Sequence, residues 1–142
     1  QKNRSRSVGK TIIGDWTVVS DMKSSGFIGY DILEMTVRII RYRQVEKANK
    51  KIFQIVLDQT PFYPESGGQV ADKGVIKNKT EKIKILYVKK ENNIVVHDVD
   101  QLPEDLAKEL VASVNIERRH LISINHRINF CLTMVLKIIE NQ

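Results

Sequence analysis

Alternation of apolar and polar residues constrains the fold of this chain more than any other feature. Along residues 33–38, Leu33, Met35 and Val37 fall on one side of an extended backbone, and the residues between them are polar. A β-strand with one buried face needs this period of two. Residues 52–57 instead form an almost continuous apolar run, which predicts a central strand. The sequence therefore predicts a sheet with a covered face.

Further short apolar and β-branched runs predict the other strands, at residues 15–19, 27–30, 74–76, 82–89, 93–99 and 111–114. Polar, turn-like stretches such as residues 23–26 and 48–51 separate these runs. Many strands, short connections and few helical signals together predict a mainly β domain, either a small barrel or a sandwich.

The C-terminal segment has a different period. Apolar residues recur there at steps of three and four, which predicts an amphipathic helix; they are Leu121, Ile124, Ile128, Cys131, Leu132, Val135 and Ile138. Because Cys131 lies on this stripe, we expect it to be a core residue rather than a metal ligand. A helix this apolar on one face packs on the sheet, meets sequence outside this chain, or leaves a patch that favours self-association.

The balance of charge makes a polyanion a plausible partner. The chain has 142 residues and a formal net charge of +6, and such a charge attracts phosphates. The candidates for phosphate contact are Arg38, Arg41, Arg43, Lys79, Lys82, Lys84, Lys89 and Lys90. A solvated strand face explains the lysines equally well.

Cysteine content and hydropathy bear on the compartment. A single cysteine excludes an intrachain disulfide and any Cys-rich zinc site, which suits the reducing cytoplasm. Every apolar run is far shorter than the roughly 20 residues that a membrane-spanning helix needs, so we expect no membrane partner. The polar, basic start at residues 1–6 is typical of a cut fragment rather than of a signal peptide.

Residues 57–74, which read LDQTPFYPESGGQVADKG, form the most unusual stretch of the sequence. Gly67 and Gly68 permit positive φ and the close approach of a ligand or a second backbone. Hydroxyl, carboxylate and amide side chains surround this pair. On spacing alone, the stretch is a β-hairpin with a wide turn. It does not match a dinucleotide or P-loop fingerprint, because both need other glycine spacings and a following helix.

The pattern Thr-x-Phe-Tyr-x-Glu-x-Gly-Gly-Gln-x-x-Asp-x-Gly at residues 60–74 is similar to the glycine-rich motif of alanyl-tRNA synthetases and their free-standing editing relatives. Three other stretches resemble the same family in the same order. Residues 1–6 resemble the basic end of the aminoacylation half, and residues 27–31 resemble the first barrel strands. Residues 117–119 and 125–126 resemble the approach to the metal motif of the editing domain.

The resemblance implies a translation-factor-like β-barrel beside an editing domain that hydrolyses seryl- or glycyl-tRNA mischarged for alanine. The glycine-rich loop then borders the editing pocket, where Thr60 would tell a serine hydroxyl from an alanine methyl by hydrogen bonding. Gly67, Gly68, Gln69 and Asp72 would shape the loop. The implied partners are tRNA(Ala) and the rest of the synthetase chain. Residues 1–12 would end the preceding region, residues 13–108 would form the barrel, and residues 109–142 would begin the editing domain.

The sequence departs from the family at the editing metal site. The family motif reads Asn-His-Thr-Ala-Thr-His, whereas this chain reads Asn-His-Arg-Ile-Asn-Phe at residues 125–130. His126 matches the first histidine, but Phe130 stands in the place of the second and offers no lone pair. Catalytic zinc takes three protein ligands and a water, so we expect no cofactor in this chain. The resemblance implies ATP, magnesium and zinc for the whole synthetase.

Three hypotheses follow. In the first, the chain is an internal, non-catalytic module of an ATP-dependent alanine–tRNA ligase that supports the editing pocket and contacts tRNA. In the second, it is a free-standing hydrolase of mischarged tRNA, which the missing second histidine disfavours. In the third, it is a β-barrel interaction domain without a role in RNA binding.

Overall fold

The structure, a computed structural model, describes residues 11–29, 31–66 and 70–140. Within these ranges the chain forms nine strands and a long C-terminal helix. The elements are β1 (Ile12–Ile13), β2 (Thr17–Val18), β3 (Glu34–Val37), β4 (Ile39–Lys47), β5 (Lys50–Leu57), β6 (Gly74–Lys77), β7 (Lys82–Glu91), β8 (Ile94–Val99), β9 (Leu110–Val114) and α1 (Ile116–Glu140). The predictions of a mainly β fold and of a C-terminal helix are confirmed.

The strands form one antiparallel sheet in the order β1-β4-β5-β8-β7-β6-β9-β3, with β2 also paired to β4. The sheet is not closed by hydrogen bonds. The strand at one end, β3, is instead joined by the chain to β4 near the other end, because Arg38 alone separates β3 from β4. The backbone amide of Arg38 donates to Asp58 Oδ1 at 2.9 Å, and the amide of Asp58 donates to the carbonyl of Arg38 at 2.9 Å. The alternating strand predicted at residues 33–38 is therefore confirmed as β3, and a second strand, β4, follows it after Arg38.

Two tight hairpins set the register of the central strands. Two residues, Ala48 and Asn49, connect β4 to β5, and Asn92 and Asn93 connect β7 to β8. All four residues have positive φ, which matches the right-handed twist of the flanking strands. The residues flanking each turn, Lys47 with Lys50 and Glu91 with Ile94, pair directly.

The main core lies on the inner face of the sheet, where the period-two pattern of the strands places their apolar side chains. Its fully buried members include Val37, Ile55, Phe62, Ile76, Ile83, Val88, Val99 and Leu110. A smaller cluster on the other face contains Ile40, Val56 and Val96, with Trp16 packed against it. Both faces of β5 and β8 are thus covered at this level, which explains the continuous apolar run in β5.

Gly74 starts β6 at a point where no side chain fits. A Cβ added there would lie 2.1 Å from the carbonyl oxygen of Ser113 in β9 and 2.8 Å from Cε1 of Phe62. The last glycine of the motif is therefore required by the close packing of β6 against β9 and the core. This packing places the motif between the sheet and the start of α1.

β9 pairs with both β6 and β3, so the strand predicted at residues 111–114 is confirmed as part of this sheet. In contrast to β9, most of the described side chains of α1 are not packed against the sheet. Every side chain of α1 that the structure describes after Arg119 is exposed, including Ile128 and Leu132. The prediction that Cys131 is a core residue is wrong, because its side chain is exposed. Within the described ranges, no helix is long and apolar enough to cross a bilayer.

Candidate functional site

The motif of residues 60–74 connects β5 to β6 and folds against β7, β8 and the start of α1. The first arm, residues 60–66, is described, and so is the second, residues 70–74. Gly67, Gly68 and Gln69, three of the predicted pocket residues, lie outside the described residues. The structure therefore bears on Thr60 and Asp72, which lie at the bases of the two arms.

Thr60 is buried against His97 of β8. The Thr60 hydroxyl lies 2.8 Å from Nε2 of His97 and accepts a hydrogen bond from the amide of Phe62 at 3.1 Å. His97 is fully buried, and its Nδ1 lies 3.2 Å from the carbonyl oxygen of Ile55. The ring of Phe62 meets the imidazole edge-on, with centroids 5.8 Å apart. The base of the first arm is thus fixed to two neighbouring strands.

These contacts determine which atoms of Thr60 and His97 carry the protons. Burial lowers the pKa of His97 from 6.5 to about 4, against a smaller opposing effect of its hydrogen bond to Ile55, so the ring is neutral at pH 7. A carbonyl oxygen only accepts, so Nδ1 carries the proton and Nε2 is the acceptor. The Thr60 hydroxyl therefore donates its proton to His97. Towards any further group, the Thr60 oxygen acts only as an acceptor.

Asp72 closes the two arms of the motif on each other. Its amide donates to the carbonyl of Tyr63 at 3.0 Å, and its Oδ2 accepts from the amide of Tyr63 at 2.8 Å. The carboxylate also forms a buried ion pair with Arg119 of α1. Arg119 Nε lies 3.1 and 2.9 Å from the two carboxylate oxygens, and Nη2 also donates to the carbonyl of Pro61 at 2.6 Å. One guanidinium thus binds both arms.

The start of α1 is docked on the second arm by two further contacts. Arg118 Nε donates to the carbonyl of Ala71 at 3.0 Å, and the amide of Asn115 donates to the carbonyl of Lys73 at 2.7 Å. Asn115 also caps the helix, because its Oδ1 accepts from the amide of Arg118 at 3.0 Å. The start of the helix and the motif therefore form one hydrogen-bonded unit.

The three candidate arginines lie in different surroundings. Arg43 is 6% exposed; it donates to Gln54 Oε1 at 2.7 Å and to Glu91 Oε2 at 2.9 Å, and its guanidinium lies 4.2 Å from the ring centroid of Trp16. The guanidinium of Arg41 also lies near this ring, 5.7 Å from its centroid. A phosphate could reach Arg43 only if this internal network opened.

Arg38 and the lysines are more accessible. Arg38 forms an exposed ion pair with Glu109 at 2.5 Å. Lys82 and Lys84 project from the outer face of β7, where Lys82 pairs directly with Lys77 of β6. Lys79 is exposed in the turn between these strands. Like charges opposite each other destabilise a sheet, so this face favours an anionic partner.

Lys89 and Lys90 lie at the other end of β7, beside the first arm of the motif. The amide of Glu65 donates to the carbonyl of Val88 at 3.0 Å, and Glu65 forms a parallel bridge with Lys89. Lys89 also lies 3.8 Å from the carboxylate of Glu91. Lys90 borders the same cavity as Tyr63 and Ser66. The structure thus brings two of the candidate lysines next to the motif.

Comparison with known proteins decides the family. The family model described as tRNA synthetases class II (A) matches residues 1–119. The chain is 44% identical over 137 residues to the alanine–tRNA ligase of Cytophaga hutchinsonii, and 42% identical over 137 residues to that of Parabacteroides distasonis. It is 40% identical over 147 residues to that of Flavobacterium psychrophilum.

The chain belongs to the alanyl-tRNA synthetase family. Each of these alignments covers 96% of the chain, and the chain spans about 16% of the length of the Cytophaga hutchinsonii and Parabacteroides distasonis ligases. The resemblance inferred from residues 60–74 is therefore confirmed. The side chains of His126 and Phe130 lie outside the described part of α1. The sequence of this segment supplies one matching zinc ligand where a catalytic zinc needs three, so the residues present do not fit that metal.

Sequence reasoning missed two residues of the site. The sequence alone assigns no role to His97, and it includes Arg119 only within a stretch that resembles the family. The signal for His97 was its place in an otherwise apolar strand, which demands a buried partner. The partner itself, Thr60, is 37 residues away, and only the pairing of β5 with β8 brings the two together.

We predict that the pH dependence of stability reports the burial of His97. The unfolded chain binds a proton at this histidine below pH 6.5, whereas the folded chain does so only near pH 4. Stability contributed by the neutral ring is thus complete above pH 6.5 and falls by about 2 kcal/mol on going down to pH 5. Urea unfolding at several pH values measures this fall. His97→Gln should flatten the curve and the control His120→Gln, at an exposed histidine, should not; an unchanged curve for His97→Gln would contradict the prediction.

We predict that the Asp72–Arg119 pair stabilises the fold far more than an exposed pair does. Asp72→Asn or Arg119→Gln leaves a buried charge without its partner, which costs about 3 kcal/mol, and the double variant should lose much less than the sum. Arg38→Gln, which breaks the exposed pair with Glu109, should cost under about 1 kcal/mol. Chemical unfolding of the four variants measures these costs. Additive losses at positions 72 and 119 would show that the pair is not coupled.

Proposed function

We propose that this chain is the segment of an alanine–tRNA ligase that carries the glycine-rich motif and contacts tRNA. The observation that carries the proposal is the joining of the motif to the start of α1 by Asp72 and Arg119. Through this connection, the sheet holds the motif at a fixed position relative to α1 and to the region that follows α1. In the proposal, residues 13–108 form the barrel and residues 109–142 begin the editing domain, with β9 as the strand shared between them.

In this proposal the longer protein attaches alanine to tRNA(Ala) with ATP and magnesium, and removes serine or glycine at an editing site, all in the cytoplasm. The family membership and the names of the relatives support the ligase activity. The segment itself supplies support rather than chemistry. No observation on the described residues favours the second hypothesis, a free-standing hydrolase.

In the proposed editing pocket, Thr60 recognises the hydroxyl of a serine. The shape of the loop is the proposed task of Gly67, Gly68, Gln69 and Asp72. The Thr60 oxygen can only accept a hydrogen bond, because its own proton is donated to His97. A serine hydroxyl can donate such a bond and an alanine methyl cannot. Since Thr60 is 1% exposed, this contact requires the residues that cover it to move. Asp72 holds the two arms of the loop in register.

The proposed surface for the tRNA backbone is the outer face of β6 and β7. It contains the candidates Lys79, Lys82 and Lys84, and also Lys77. Each lysine on this face is exposed, and the direct pairing of Lys77 with Lys82 places two positive charges opposite each other. Lysine contacts of this kind recognise phosphates without reading sequence. Arg38 and Arg41 flank other parts of the sheet, and Arg43 has an internal role.

We predict that replacing Lys82 and Lys84 by glutamine weakens binding to tRNA(Ala) and lowers the slope of log affinity against log salt by about two, one for each lost phosphate contact. Fluorescence anisotropy at several salt concentrations measures both quantities. The matched control, Lys50→Gln with Lys51→Gln, removes the same charge from the exposed end of the β4–β5 hairpin and should leave the slope unchanged. Absence of binding at low salt, or an equal effect of the control, would overturn the proposed surface.

The exposed apolar side chains of α1 make self-association a further part of the proposal. Leu132 and Leu136 lie one turn apart and are 56% and 59% exposed, which favours burial against a second surface. Sedimentation velocity should show a species that grows with protein concentration. Replacing both leucines by glutamine should abolish this growth, whereas Lys137→Gln should not. A monomer at every concentration would exclude self-association through the helix.

A further inference from the structure

A cavity of about 400 Å³ lies where the first arm of the motif meets two other parts of the chain. Its walls come from Ser25 and Phe27 before β3, from Tyr63 and Ser66 of the motif, and from Lys90 and Asn93 at the β7–β8 hairpin. These three segments are far apart in sequence. The volume is within the range of pockets that hold small ligands.

Backbone hydrogen bonds fix the walls of this cavity relative to each other. Thr60 donates from its amide to the carbonyl of Gly26 at 3.1 Å and accepts from the amide of Ile28 at 3.2 Å, which aligns the first wall with the motif. The amide of Glu65 donates to Val88 at 3.0 Å, which aligns the motif with β7. The cavity is therefore built by the fold rather than by loose side chains.

The walls combine aromatic rings, one cation and small hydroxyl groups. The rings of Phe27 and Tyr63 are half-buried and meet edge to face, with centroids 5.4 Å apart and planes at 83°. Lys90 is exposed, and within the described ranges it forms no ion pair. Ser25 and Ser66 add exposed hydroxyls. Aromatic faces for a base and a cation for its phosphate are the groups with which proteins bind unpaired nucleotides.

We propose that this cavity binds one unpaired nucleotide of an RNA strand, with the base against Phe27 and Tyr63 and the phosphate at Lys90. The inference rests on the proposed contact with tRNA and adds a place for its single-stranded 3′ end. Lys90 lies six residues along β7 from Lys84, which corresponds to roughly 20 Å. The cavity and the lysine face of β6 and β7 are thus separate sites on one strand.

Two labelled RNA probes test this proposal with the full chain. One is an acceptor-stem hairpin of tRNA(Ala) with its single-stranded 3′ end, and the other is the same hairpin with a blunt end. The chain should bind the tailed probe about fivefold or more tightly than the blunt one, because stacking of one base contributes at least that much. Lys90→Gln and Phe27→Leu should each reduce this preference, and the affinity for the blunt probe should stay constant.

Controls separate this cavity from the lysine face and from misfolding. Lys84→Gln should weaken both probes alike, and Lys51→Gln should change neither. Because Phe27 also lies 6.0 Å from the guanidinium of Arg119, thermal unfolding must show that Phe27→Leu is folded, and the exposed Lys90→Gln provides the second test. A photoreactive 3′-terminal adenosine should cross-link to residues 25–27, 63–66 or 90–93.

The outcomes distinguish the two proposals. Equal binding of the tailed and blunt probes, or cross-links outside these three segments, overturns the nucleotide site and leaves the contact with tRNA standing. Loss of affinity for both probes in Lys90→Gln also overturns it, because Lys90 would then contact the stem. Failure of the unaltered chain to bind either probe at low salt overturns both proposals.

Discussion

The buried pair of Asp72 and Arg119 is the interaction on which the arrangement of the site depends. Asp72 joins the second arm of the motif to Tyr63 of the first, and Arg119 joins both arms to α1. A guanidinium suits this position because its fork of donors reaches a carboxylate and a carbonyl at the same time. The direction in which α1 leaves the sheet is thus set by the motif itself.

β8 distributes its polar residues to the two faces of the sheet. Because the side-chain period of a strand is two, the neighbours His97 and Asp98 point to opposite faces. His97 bonds to Thr60 on the side of the motif, whereas Asp98 accepts from Gln54, which in turn accepts from Arg43. Both residues are buried, and every buried side-chain nitrogen or oxygen among the described residues has a partner. His97 therefore connects β8 to the motif, and Asp98 connects β8 to Gln54 and Arg43 on the other face.

The period of the sequence predicted most of the strands and the helix, since burial of one face is encoded by neighbours along the chain. The strand predicted at residues 27–30 is instead a single bridge at Phe27, and β1 was not predicted. The period also did not predict the partners of the polar residues. Arg43 and Lys84 have similar sequence surroundings, yet the first lies under Trp16 and the second on an open face. Their difference depends on which segment covers each face, and this is a property of the topology. Cys131 was predicted wrongly for the same reason, because a stripe of apolar residues does not show whether a covering surface is present.

The same topology places the two proposed RNA-binding surfaces at the two ends of β7. Near Lys82 and Lys84, β6 places Lys77 opposite Lys82 and Val75 opposite Lys84. Near Lys90 the motif and residues 25–27 add aromatic rings. β7 is hydrogen-bonded to β6 at one end and to β8 at the other, so the spacing of the two surfaces is held by the strand. An RNA that meets both surfaces has to present its paired backbone and an unpaired nucleotide at this fixed distance, which is the geometry of a stem with a single-stranded end.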